Sequence, residues 1–230
     1  VFNYSLLLDT NDQGLSRTLL LFGQREIDHY RMLHAAVSPG MTIFDIGANI
    51  GYYVVMESLI VGDDGRIIAI EPIGSNVELL RKNVALNGIE NIEIIQGAVS
   101  DSTGSREMFV SSHSNLHTFH RDGTASATLS SESIPVTTHT LRDLMDSSGK
   151  PDLIRMDVEG HEVEILGDLA RQARDGAMAP KVIFETHLSR YKDDHDLVPV
   201  LRDLFSVGYE VRTASSSDEA GTTRLERMGY

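Results

Sequence analysis

Three observations predict an α/β fold of the Rossmann-like kind. Short apolar runs alternate along the chain with segments of helical periodicity, the pattern of a mostly parallel sheet with helices on both faces. The first strong run ends in a glycine-spaced turn, FDIGANIGYY at 44–53, that leads into a second apolar segment. Four apolar runs end at an acid: Asp45, Glu71, Asp157 and Glu185. In a parallel sheet the carboxyl ends of the strands are where ligands bind.

The elements follow in order. Ile27, Tyr30, Leu33 and Val37 recur at helical spacing, and Pro39-Gly40 ends that helix. Residues 42–46 read as a buried strand, 53–61 as a helix, Gly62-Asp63-Asp64-Gly65 as a turn and 67–71 as the next strand. Ser75 and Glu78 form a capping-box pattern for the following helix, whose apolar stripe is Val77, Leu80 and Val84. Asn87-Gly88 stops it. Residues 92–96, 152–156 and 182–185 read as further strands, and Val163, Leu166 and Leu169 mark a helix between the last two. Residues 200–205 read as helical and 209–212 as extended. The stretch 97–151 is rich in Ser, Thr and His, with short strands expected at 107–110 and 134–138. A connection this long is often functional, and we read it as a decoration near the substrate site. The expected organisation is one domain: a leader and first helix over 1–40 and a core over 41–230.

Composition narrows the function classes. The 230 residues are 41% hydrophobic and 23% charged, ordinary for a globular protein. A net charge of -14, with no basic cluster, argues against a nucleic-acid partner. Cysteine is absent, which excludes disulfides, thiolate metal sites and cysteine nucleophiles. No run of about 18 apolar residues suggests a membrane span, and with no targeting segment the expected location is cytoplasmic. The first residue is Val rather than Met, which leaves room for further domains in a longer natural chain.

The turn at 47–51 limits the ligand. A dinucleotide fingerprint would carry G-x-G-x-x-G, but the middle glycine position is Asn49, whose side chain would obstruct a pyrophosphate. A phosphate loop would need G-K-[ST], which is missing. A nucleoside without phosphate fits better. Glu71 is placed to accept from both hydroxyls of a ribose, and the acidic strand ends suit a cation. S-adenosylmethionine has the diol, an ammonium, a sulfonium and no phosphate. An ordinary strand-to-helix turn and solvated strand-end acids are the plainer readings of each feature alone.

The chain resembles the FkbM-type family of S-adenosylmethionine-dependent methyltransferases. The resemblance rests on FDIGANIGYY (44–53), GRIIAIEPIGSNVELLRKNVALNG (65–88) and DLIRMDVEGHEVEIL (152–166), with VIFETH (182–187), TLRDLM (140–145) and, more loosely, DTNDQGLSRTLLLFG (9–23). It implies a class I methyltransferase fold, a seven-stranded, mostly parallel sheet. It also implies O-methylation of a sugar or glycan hydroxyl or a polyketide-like product. The cofactor set expected is Asp45, Gly47, Ala48, Asn49, Gly51, Glu71, Pro72, Gly97, Ala98 and Asp157. Arg155 stands where the family usually has Lys. Guanidinium stays protonated and cannot act as a base, so Arg155 is expected to orient substrate or pair with a carboxylate. His161 stands where a small residue is common and is not carried over as catalytic.

For the proton of an attacking hydroxyl the candidates are His187, Asp157, Glu159 and Glu185. His187 ranks first, because histidine titrates near neutrality and two-residue spacing puts it on the side of Glu185 in an extended chain. The plainer readings make Asp157 and Glu159 turn residues at a helix start and His187 a surface histidine. In SSHSNLHTFHRD (111–122), His113, His117 and His120 have no partner cysteine and no H-E-x-x-H pattern, so a solvated or substrate-facing loop is the better reading. Asn115 and His117 are expected to reach substrate. Asp157 and Glu185 could hold a divalent metal, but nothing in the spacing requires it and a metal is not favoured. The alternatives are a methyltransferase-like binding module without turnover and a nucleotide-dependent oxidoreductase, against which Asn49 argues.

Overall fold

The structure, a computed structural model, describes residues 4–111, 113–120, 129–192 and 195–215. In chain order the elements are α1 (Leu15–Phe22), α2 (Ile27–Ala36), β1 (Thr42–Ile46), α3 (Tyr52–Val61), β2 (Arg66–Glu71), α4 (Gly74–Leu86), β3 (Ile92–Gln96), β4 (Ala98–Val99), β5 (Gly104–Ser111), β6 (Leu129–His139), α5 (Leu141–Ser148), β7 (Leu153–Met156), α6 (Glu162–Arg174), β8 (Lys181–Phe184) and α7 (Leu197–Ser206). Five strands form a parallel sheet in the order β3-β2-β1-β7-β8. Strand residues alternate between its faces. Ile43, Ile67 and Leu153 pack with α1, α2 and α3, and Leu80 of α4 joins them. Phe44, Ile68 and Ile154 pack with α5, α6 and α7 on the other face. Both faces are covered, which is why the strands read as nearly continuous apolar runs.

The sheet has five strands among the described residues, where the resemblance implied seven. The expected strand at 209–212 is one reason. Gly208 is left-handed at φ 100°, and the Gly208 and Tyr209 N–H groups bond back to the Phe205 and Leu204 carbonyls. That wrap satisfies the carbonyls at the end of α7, and the residues that follow it join no strand. The 97–151 connection builds its own three-stranded sheet, β4-β6-β5. Its strands are longer than the runs at 107–110 and 134–138 suggested, because β5 and β6 pair antiparallel from Gly104↔Thr138 onward. Position 112 and residues 121–128, which include the end of the His-rich segment, lie outside the described residues.

Helix starts differ from expectation in an informative way. The expected capping box at Ser75 is absent: α4 begins at Gly74, with Ile73 as its N-cap and no side-chain cap. Glu71 takes over, accepting from the Ile73 N–H at 3.0 Å and the Asn76 amide at 3.2 Å. A reciprocal box occurs instead at α5, where the Thr140 hydroxyl accepts from the Asp143 N–H and Asp143 accepts from the Thr140 N–H. No described helix is long and apolar enough to cross a membrane.

Candidate active site

A cleft of about 800 Å³, continuous with solvent, opens at the carboxyl ends of β1, β2 and β7. Of the expected cofactor residues, Gly47, Ala48, Asn49, Glu71, Pro72, Gly97, Ala98 and Asp157 line it, as do Arg155, Glu159, Asn115 and His117. Asp45, Gly51, Glu185 and His187 do not line it.

The glycines of the turn serve the fold first. A Cβ on Gly47 (φ 81°) would sit 2.2 Å from the Asp157 carbonyl, and one on Gly51 (φ 90°) would sit 2.5 Å from Leu80 Cδ1. The crowding at both positions comes from protein atoms: β7's following loop at Gly47 and α4 at Gly51. Three non-glycine residues have positive φ among the described residues, Glu26, Asn49 and Glu159, and all three line the cleft. Sparsely populated backbone conformations of this kind concentrate at functional sites.

Asp45 and Arg155 are register partners on β1 and β7. Their side chains meet in the interior at 3.0 Å, with Arg155 at 3% exposure and Asp45 at 0%. The guanidinium also lies 3.6 Å from Asp157 Oδ2 and 4.3 Å over the Tyr53 ring. Burial pushes the Asp45 carboxyl up while Arg155 beside it pulls it down. Burial and the Arg155 charge drive His29, which lies 3.4 Å from the Arg155 Nε, down to about 3, so its ring is neutral. Arg155 is therefore an anchor of the cleft floor paired with two acids. Asp45 points into the interior and is spent on Arg155, which is why it does not reach the cleft.

At the end of β2, Glu71 accepts from the Asn49 N–H at 2.9 Å as well as from Ile73 and Asn76. Burial raises its carboxyl to about 7 against these hydrogen bonds. Asn49 and Asn76 both donate to the Ser114 carbonyl, while the Ser114 N–H and hydroxyl donate to Asp12. The loop over the cleft is thus tied to the β1–α3 turn, to α4 and to the leader. It presents Asn115, whose Oδ1 is buried with no hydrogen-bond partner among the described residues, and His117. Burial holds His117 near 4, and its Nδ1 accepts from the Ser111 N–H, so the neutral ring carries its proton on Nε2.

Beyond β7 lies a carboxylate cluster. His187 Nε2 is 3.6 Å from both Asp157 Oδ1 and Glu159 Oε2, and its Nδ1 is 2.8 Å from Glu162 Oε1. Tyr191 donates to the other Glu162 oxygen at 2.9 Å. Burial alone would lower His187, but the Glu162 hydrogen bond and the surrounding acids raise it to about 10. His187 is thus an imidazolium at neutral pH. The sequence ranked it first as a base because of histidine's ordinary range, and these partners, which lie outside its local spacing, reverse that. Burial raises Glu159 to about 7, with Asp157 adding to it and His187 opposing it. Glu185 is raised by burial, then by Asp157.

Sequence reasoning missed Arg25, Glu26 and Tyr53, which also line the cleft. Tyr53 donates to Glu26 Oε2 at 2.7 Å, and Arg25 pairs with Glu26. The only local signal was the double tyrosine after the glycine turn. His161, set aside on the sequence, forms part of the wall, 2% exposed, with Nε2 3.0 Å from the Ser100 hydroxyl.

Residues 45–211 match the methyltransferase FkbM domain. The chain belongs to the FkbM methyltransferase family. Membership brings S-adenosylmethionine as cofactor, and the donor set of the cleft suits it: carboxylates at the strand ends, and no phosphate-loop lysine in the turn. Among curated proteins, the chain is 34% identical over 65 residues to an arsenite methyltransferase of Halobacterium salinarum, covering 28% of this chain and 17% of that protein. It is 36% identical over 74 residues to a probable cobalt-precorrin-6B C(15)-methyltransferase (decarboxylating) of Sulfolobus acidocaldarius, covering 32% and 38%. The matched part is well under half the length of either relative. Among solved structures, precorrin-6y C5,15-methyltransferase from Geobacter metallireducens GS-15 aligns with a TM-score of 0.49 at 15% identity, over 83% of this chain and 76% of that one.

Proposed function

We propose that the chain transfers a methyl group from S-adenosylmethionine to a hydroxyl oxygen of a small-molecule or glycan acceptor, such as a sugar or a polyketide-like product. The observation that carries this reading is the pairing of Glu71 at one end of the cleft with Asp157 and Glu159 at the other, backed by an imidazolium. When bound, the cofactor supplies an electrophilic methyl on sulfur. Glu71 would hold one ribose hydroxyl rather than both: a carboxylate has about four acceptor positions, and three are taken by Asn49, Ile73 and Asn76. Asp157 offers negative charge to the cofactor's cationic part. Much of the acceleration available to such a reaction lies in alignment, worth roughly 7–11 kcal/mol when geometry is right. The Asp12–Ser114–Asn49 ties hold the loop that carries Asn115 and His117 for that purpose.

In this reading Glu159 replaces His187 as the base. A group near 7 is half ionised at neutral pH, so a Glu159 carboxylate oxygen can take the hydroxyl proton and release it to solvent. His187, locked by Glu162 and Tyr191, is a positioning residue that holds Asp157 and Glu159 in place; Glu185 sets its charge environment. The cytoplasmic location, the absence of a nucleic-acid partner and the one-domain organisation belong to the same proposal and rest on the sequence.

The test is ligand-dependent melting followed by turnover. S-adenosylmethionine and S-adenosylhomocysteine, each at about 100 times its dissociation constant, should stabilise the chain by roughly 2.7 kcal/mol, and NAD should not. S-adenosylhomocysteine should form with a hydroxyl acceptor from a panel of sugars and phenols, with the new methyl on oxygen by NMR. Stabilisation without turnover would favour the binding module. A methyl on nitrogen or carbon would overturn O-transfer.

A further inference from the structure

On the far side of His161 from the cleft, three chain segments bring imidazoles and a carboxylate together. His120 comes from the connection between β5 and β6, Glu164 from the first turn of α6, and His195 from the loop before α7. His120 Nε2 is 3.8 Å and His195 Nδ1 is 3.5 Å from Glu164 Oε1, and the three ligand atoms lie within 4.8 Å of one another. Ligands at about 2.0–2.1 Å in a tetrahedral shell sit roughly 3.3 Å apart, so the 3.8 and 3.5 Å distances to Glu164 are close to that spacing, and the ligand atoms, all within 4.8 Å of one another, would draw together around an ion.

Proton bookkeeping makes the arrangement informative. His195 Nε2 lies 2.8 Å from the Gly160 carbonyl. A carbonyl only accepts, so Nε2 carries the hydrogen. In the neutral ring Nδ1 then presents a bare lone pair to a carboxylate oxygen, and two acceptors face each other. Either a proton or a metal cation between them resolves that. A histidine whose second nitrogen donates to a backbone carbonyl is also the usual outer arrangement of a metal-bound imidazole. The buried His161 ring stands beside the group, its Nδ1 3.3 Å from both His120 Nε2 and Glu164 Oε2, so it can donate to the carboxylate while His120 Nε2 turns to an ion. Glu164 Oε2 is itself buried with no hydrogen-bond partner among the described residues.

We propose that His120, Glu164 and His195 bind a divalent transition metal of the zinc type through His120 Nε2, a Glu164 oxygen and His195 Nδ1. Two imidazoles and one carboxylate suit zinc far better than magnesium or calcium. The ion would join the connection over the cleft to α6 and to the loop before α7, fixing the wall that His161 forms. On the sequence, His120 had no visible partners, since Glu164 and His195 lie 44 and 75 residues away.

The experiment is titration of the full chain, first stripped with chelator, with Zn²⁺ by calorimetry and with Co²⁺ by visible absorption. The expected result is one equivalent bound, with ligand-field bands in the visible. His120→Ala and His195→Ala should each weaken binding by at least about 10-fold, since even outer partners of metal ligands cost about 10–100-fold. Glu164→Gln, which preserves shape, keeps the test decisive if an alanine variant fails to fold. A second acid–histidine group, Asp157, Glu185 and His187, is controlled by Asp157→Asn, which should leave the binding intact. Absence of binding at 100-micromolar-scale (roughly 10⁻⁴ M) Zn²⁺ would overturn the proposal, because a structural zinc site binds far more tightly. So would full affinity in the His120 and His195 variants, or loss of binding in Asp157→Asn.

Discussion

The cleft has two charged regions whose members Arg155 and Asp157 are two positions apart in sequence, and they behave oppositely. Arg155 and Asp45 form a pair in the floor, sealed from solvent, with the guanidinium over Tyr53. Asp157 and Glu159 form the wall, 18% and 12% exposed, and face an imidazolium at 3.6 Å. In the floor Arg155 stays charged, and its charge opposes the burial that pushes the Asp45 carboxyl up. The wall is poised, because partial burial lifts Glu159 into the working range while His187 keeps it from rising further. Strand-end acids are thus not equivalent, and their partners across the sheet decide which ones hold the fold and which face a ligand.

The sharpest way to break this contrast is Arg155→Met. It strands the buried Asp45 carboxyl, and removing one partner of a buried pair costs about 3–5 kcal/mol. Urea unfolding should show that loss. Equal stability would mean that the floor is not the anchor described.

Glu159→Gln should do the reverse. Stability should change by less than about 1 kcal/mol, while kcat falls about 10²–10⁴-fold. In the unsubstituted chain kcat/KM should rise as pH passes through about 7, as the carboxyl ionises, and that inflection should vanish in the variant. An unchanged profile would remove Glu159 as the base.

A smaller effect separates His187 from both. Its folded value of about 10 lies above the ordinary 6.5, so its contribution to stability is complete below pH 6.5 and lost as pH rises through about 10. The stability gap between the chain and His187→Gln should therefore shrink between pH 7 and pH 10. A gap that does not change with pH would mean that the ring is neutral. The smallest effect belongs far from either region: Thr140→Ala removes one half of the α5 cap, costing about 1 kcal/mol with turnover unchanged.

Local pattern revealed the parallel strands and the turn at 47–51, because burial on both faces leaves long apolar runs and close packing leaves glycine; together with the family resemblance it named about half of the cleft-lining residues. It did not reveal α1, whose Leu20, Leu21 and Phe22 are exposed, so its apolar residues do not mark a clean inward stripe. It foresaw that Arg155 could pair with a carboxylate but not which one, since Asp45 is 110 residues away in sequence and adjacent only by register. The protonation of His187 was hidden for the same reason: the acid that raises it most, Glu162, precedes it by 25 residues. Residue type gave the chemistry available at each position, while tertiary partners set the protonation state.

Glu26, Asn49 and Glu159 hold left-handed backbone without being glycine. An engineer seeking a more heat-tolerant chain would choose these three first for replacement by glycine, which relieves the steric penalty of that conformation. Each of those edits would remove a side chain from the cleft. The easiest gains in robustness therefore fall on the residues that the proposed chemistry can least spare, and a stabilised version is better built from the caps and helix surfaces far from the strand ends.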